Sequence, residues 1–69
     1  MKKKYYVSEV AQDNGDHEVH EATCVYLPNS NNRKLLGEFD SCQDAVRAAK
    51  SHHNQVNGCY YCSNACHTS

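Results

Sequence analysis

Apolar and polar positions follow two rhythms along this chain. Residues 3–10 (KKYYVSEV) and 17–26 (HEVHEATCVY) are rich in Val and Tyr, as half-buried strands are, and Asn14-Gly15 between them is the dipeptide preferred by a two-residue type I′ turn. Such a turn predicts a hairpin pairing Val10 with Val19, Glu9 with His20, Val7 with Ala22 and Tyr5 with Cys24. One face then carries Tyr5, Val7, Ala22, Cys24 and Tyr26 and is assigned to the core. The polar run PNSNN at 28–32 breaks the pattern, and RKLLGEF at 33–39 reads as a third strand with Gly37 as a weak spot. The period then lengthens. Cys42, Ala45, Val46, Ala49, His53 and Val56 recur at helical spacing, with Asp40 as N-cap, Gln43 completing a capping box, and Gly58 as the stop. The predicted fold is α+β, a three-stranded antiparallel sheet packed on one helix over about 41–57. Residues 1–69 form a single domain in this reading, with a β-β-β-α core over 1–57 and a Cys-rich tail at 58–69.

With YYV, the NG hairpin, LLGEF and the CQDAVRAAK helix, residues 5–50 resemble the small uncharacterised prokaryotic β-β-β-α domains of unknown function. GDHEVH together with the closing CHTS resembles a narrower bacterial family of the same kind. The resemblance implies a fold and no activity.

Length sharpens the reading of the tail. A chain of 69 residues buries little of its own surface, and scaffolds of this size commonly add disulfides, a metal or a partner subunit. The formal charge of -1 leaves no footprint for nucleic acid or anionic lipid. The basic start MKKK meets Ser8, Glu9, Gln12 and Asp13 rather than a long apolar run, which argues against a signal peptide, and no stretch is long and apolar enough to span a membrane. These features lead to an expectation of a cytoplasmic protein whose thiols stay reduced, and the odd count of five cysteines argues against a closed disulfide framework.

GCYYCSNACHTS, residues 58–69, carries the candidate chemistry. Cys59 and Cys62 have the C-x2-C spacing that aims two thiolates of one tight turn at a single ion, the half-site of a structural zinc centre. Cys66 supplies a third thiolate and His67 is the nearest fourth ligand, so the predicted zinc ligands are Cys59, Cys62, Cys66 and His67. Neighbouring side chains project differently, which leaves His53 or His20 as alternative closures. A dithiol couple at Cys59 and Cys62 uses the same atoms, but such couples sit at helix N-termini, whereas this pair follows the predicted helix end. Ferredoxin spacings do not match, and CSNACH has one residue too many for haem attachment.

The other candidates have plainer readings. HEVH lacks the helical i, i+4 histidines of a zinc protease, because strand positions three apart face opposite sides. Glu9 and His20 form a cross-strand ion pair in the predicted register. Cys24 and Cys42 are expected to pack as small apolar residues, and His52 to favour the helix C-terminus. Lys2–Lys4 discourages edge pairing. No catalytic triad, phosphate loop or carboxylate pair is visible. The expectation is a non-enzymatic module with a structural zinc site, acting through a protein partner, a homodimer mate included, with no nucleic acid and no membrane among its partners. A thiol redox protein, and a partner-binding domain with incidental cysteines that uses its sheet edge or the PNSNN loop, are the alternatives.

Overall fold

A computed structural model describes residues 2–68; Met1 and Ser69, the outer ends of the MKKK and CHTS runs, lie outside the described residues. The elements are β1 (Lys3–Ser8), β2 (His17–Glu21), β3 (Arg33–Phe39), α1 (Cys42–Ala49) and β4 (Val56–Gly58), with short 3-10 turns at Ser30–Asn32 and Asn64–Cys66. The sheet has four strands in the order β3-β1-β2-β4. Strand β1 runs antiparallel to both β2 and β3, while β4 lies parallel to β2. The fold is thus α+β as expected, but the sheet is mixed and four-stranded rather than antiparallel and three-stranded.

The first departure begins at the hairpin. Tyr5 pairs with Glu21, Tyr6 with His20 and Val7 with Val19, three residues away from the predicted register. Two features lengthen the connection. The Gly15 amide donates to Gln12 O and the Gln12 amide to Asp16 O, a loop of Asp13, Asn14 and Gly15 with Gly15 at φ 92°, the left-handed position for which glycine is favoured. Strand β1 also ends early, because the Ser8 hydroxyl binds Val10 on both its amide and carbonyl sides and folds residues 9–10 away from the ladder. An odd shift turns β2 over. Val19 therefore joins Tyr5 and Val7 under the helix, and Glu9 and His20 are not partners: Glu9 instead reaches His53 at 2.8 Å.

Strand β3 occupies the predicted span. Its ladder slips between Tyr5 and Tyr6, and Gly37 lies there at φ 130°. Helix α1 starts one residue later than expected, with Ser41 rather than Asp40 as the N-cap, its hydroxyl accepting from the Asp44 amide. It ends at Ala49, well short of 57. The Ser51 and His52 amides close tight turns onto Ala48 O and Ala49 O, and the Ser51 hydroxyl also donates to Ala48 O. His52 thus lies beyond the helix, and Val56 meets the core from a strand.

Tyr5, Val7, Val19, Ala45 and Ala49 form the buried core, with Leu36, Phe39, Cys42, Val46 and Val56 packed against it. Five of the six residues in the predicted helical stripe are thus in the core or packed against it. The sixth, His53, is half-buried and stacks on His17, the ring centroids 3.7 Å apart. Gly58 is not a helix stop. It sits in β4 where a Cβ would come within 2.7 Å of both Cys66 Cβ and Ser63 O, so no side chain fits there.

Candidate metal centre

His20 and Val19 are consecutive residues of β2, so they face opposite sides of the sheet. Both are buried, Val19 at 0% exposure and His20 at 2%. Val19 fills the core beneath α1, whereas His20 points into a cluster of thiols. The extended strand ladder brings Cys59 there, since its amide donates to Val19 O at 2.9 Å directly after β4. The chain then turns back tightly, the Ser63 amide bonding Cys59 O at 2.9 Å, and Cys62 returns to the same spot. Cys24 arrives from the other direction. Beyond β2 the Cys24 amide bonds Glu21 O and the Leu27 amide bonds Cys24 O, two successive turns that fold Cys24 over His20.

The four ligand atoms of His20, Cys24, Cys59 and Cys62 all lie within 4.8 Å of one another. Cys24 Sγ is 3.6 Å from His20 Nδ1 and 3.9 Å from Cys59 Sγ, and Cys62 Sγ is 3.9 Å from His20 Nδ1. Cys24, Cys59 and Cys62 are the free cysteines among the described residues. A group with one imidazole and three thiols at such separations can hold a metal ion.

The surroundings suit that use. Burial depresses the His20 pKa, which favours the neutral ring that ligates metals. Glu18 Oε1 lies 3.5 Å from His20 Nε2, on the side away from the sulfurs. A proton on Nε2 then faces the carboxylate and leaves the Nδ1 lone pair toward the thiols. Burial also pushes Glu18 upward. The Cys62 thiol is pushed up to about 12, chiefly by burial and then by its hydrogen bond with Cys24, while the Glu21 amide, donating to Cys62 Sγ at 3.4 Å, works the other way. A cation is what would offset the cost of a thiolate there.

Two of the predicted ligands, Cys59 and Cys62, are brought together here. Cys66 is not with them: it forms a disulfide with Cys42 at the start of α1, so the expectation of wholly reduced cysteines does not hold. His67 is held elsewhere too, its Nδ1 donating to Gly58 O at 3.0 Å and its ring meeting Tyr60 edge-on. His53, one proposed closure, pairs with Glu9, and His20, the other, lies in the cluster. Cys24 was expected to be core. Its signal was the His20-x3-Cys24 spacing, within the usual range for a zinc half-site, and an extended β2 hid it by setting the two residues four strand positions, about 13 Å, apart.

No family model, curated protein or solved structure matches this chain, so the geometry stands without a relative to lend it a role. Among the described residues no helix is long and apolar enough to cross a membrane.

Proposed function

We propose that the protein is a small non-enzymatic module in which His20, Cys24, Cys59 and Cys62 hold a structural zinc ion, and that it acts through contacts with another protein. The observation that carries this reading is the spacing of the four ligand atoms. Zinc bonds of about 2.3 Å to sulfur and about 2.0–2.1 Å to nitrogen put tetrahedral vertices about 3.8 Å apart for two sulfurs and about 3.6 Å apart for sulfur and nitrogen. Three of the six separations, 3.6 and 3.9 Å from sulfur to Nδ1 and 3.9 Å between two sulfurs, are close to these values, and the others stay within 4.8 Å. Three soft sulfurs with one imidazole favour zinc over calcium or magnesium, and four protein ligands leave no open position for catalysis.

The ion joins two loops distant in sequence, and their outer surface is aromatic. Tyr26 stacks on Tyr61 at 4.4 Å, Tyr60 meets Tyr61 edge-on, and all three are more than half exposed, as is Val25. Exposed tyrosines gathered in this way support a role in protein contact. An open groove of about 310 Å³, lined by Lys3, Lys4, Glu21, Ala22 and Thr23, includes none of the four ligands.

Elemental analysis of the purified chain tests the reading. One zinc per chain, lost on Cys59→Ala together with the ligand-field absorption of a cobalt-substituted sample, is the expected result. No stoichiometric metal, with two of the three free thiols missing in denaturant, would favour a dithiol couple instead.

A further inference from the structure

Five cysteines are divided here between two chemistries, three in the metal cluster and two in the Cys42–Cys66 bridge. The two arrangements are mechanically connected. From the cluster, Cys59 O accepts the Ser63 amide, Ser63 O accepts the Cys66 amide, and Asn64 O accepts the His67 amide, so the 3-10 turn carrying Cys66 is built directly on the metal loop. The same turn is pressed against β4, since the Cβ of Cys66 and the carbonyl of Ser63 occupy the space above Gly58. His67 Nδ1 adds a bond to Gly58 O at 3.0 Å. On the other side, Cys42 is fixed at the first turn of α1 and packs against the core.

We infer that metal binding directs the oxidation of this chain: the ion occupies Cys24, Cys59 and Cys62 and sets Cys66 beside Cys42, so that this pair alone is oxidised. The inference rests on the metal reading of the cluster. In the step, the Cys42 and Cys66 thiols give up two protons and two electrons to a small-molecule disulfide such as oxidised glutathione, which leaves as two thiols. One sulfur–sulfur bond breaks and one forms. Without the ion, the Cys24 and Cys59 sulfurs lie only 3.9 Å apart, and the C-x2-C pair lies in one turn. Those sulfurs then compete for the oxidant. The effect is reciprocal, since a bridge favoured by the metal must favour metal binding by the same factor.

The experiment starts from fully reduced chain, with zinc uptake measured first. Failure to bind zinc would remove the proposed function and this inference together. The zinc-loaded and the chelator-treated samples are then oxidised with glutathione disulfide and their bridges mapped by mass spectrometry. Cys42–Cys66 as the dominant product with zinc, and a mixture including Cys24, Cys59 or Cys62 bridges without it, is the expected outcome. The same Cys42–Cys66 product in both samples, or a mixture from the zinc-loaded one, would overturn the inference and leave the zinc site standing. A second measurement does not depend on the chelated chain staying folded: Cys42→Ser with Cys66→Ser should weaken zinc binding about tenfold relative to the bridged protein. Unchanged affinity would also overturn it.

Discussion

The two sides of β2 are built from opposite materials. On the helix side, Tyr5, Val7, Val19, Ala45 and Ala49 exclude water by apolar contact, and the stabilisation scales with the area they bury. On the other side, His20 and Cys59 are buried to the same degree, at 2% and 1% exposure, yet their neighbours are polar or polarisable groups with strict geometric demands. The first side tolerates changes of shape at a graded cost. The second gathers four donor atoms around one point in space, so the proposed ion would depend on every one of them. A short chain with one small helix can cover one face of its sheet with side chains, and the second face needs another means of closure.

Removal of the proposed zinc ion should break the comparison most strongly. A chelator, or Cys59→Ala, should lower the melting midpoint by about 20 °C or more, given the large contribution of structural zinc and the few degrees that each kcal/mol is worth in a domain of this size. Hydrogen exchange should rise first over 22–27 and 59–68, ahead of β1 and β3. Uniform loss of protection would show that the two sides do not act separately.

Trimming the apolar side should act on stability alone. Val7→Ala removes two buried methyl groups and should cost about 2 kcal/mol in urea unfolding, with zinc stoichiometry unchanged. Loss of zinc from the folded variant would mean that the core positions the ligands.

Glu18→Gln should do the opposite. Glu18 Oε1 lies 3.5 Å from His20 Nε2, and a proton directed at it would leave Nδ1 for the proposed ion, so loss of the carboxylate should reduce zinc affinity about tenfold in competition with a chromophoric chelator, while the fold persists. An affinity within twofold of the parent would assign Glu18 to solvent exposure rather than to the site.

The smallest effect belongs to the polar lacing at the sheet's end. Asp16 accepts hydrogen bonds from Gln55, Asn57 and Asn14, in that order of influence, and its pKa is lowered from the ordinary 3.8. A carboxyl depressed by folding stabilises the native state above its unfolded pKa, and that contribution fades as pH falls below about 4. Asp16→Asn should therefore lower stability slightly near neutrality, where the carboxylate contributes, and converge on the parent as pH falls below about 4, so that its acid limb is flatter. Parallel acid limbs would count against the network.

Those contrasts explain which parts of the molecule were legible from its residues. β3 was readable because PNSNN and Asp40 bracket a short apolar run, and α1 began where a capping residue met an apolar stripe. The hairpin register was not, since Asn-Gly served a three-residue loop, settled by backbone hydrogen bonds, and Ser8 ended β1 early by binding Val10 through its hydroxyl, and residue types specify neither choice. Val56 satisfied helical and strand spacing equally, and its parallel pairing with His17 depends on contacts between residues far apart in sequence. Cys59 and Cys62 declared themselves through their spacing. Cys24 and Cys66 exchanged their expected roles, core and ligand, for a place in the thiol cluster and in a bridge, because folding decides which thiols meet and the local sequence around each is compatible with either.

The Cys42–Cys66 bridge also governs how the molecule would respond to damage. It spans the exposed run at 51, 52, 54 and 55, where a protease finds open backbone, so one cut in that run yields two pieces that still travel as one particle until a reductant opens the bridge. The carboxyl-terminal piece, with β4 and two of the three clustered thiols, would remain tethered to the sheet from which it had been severed.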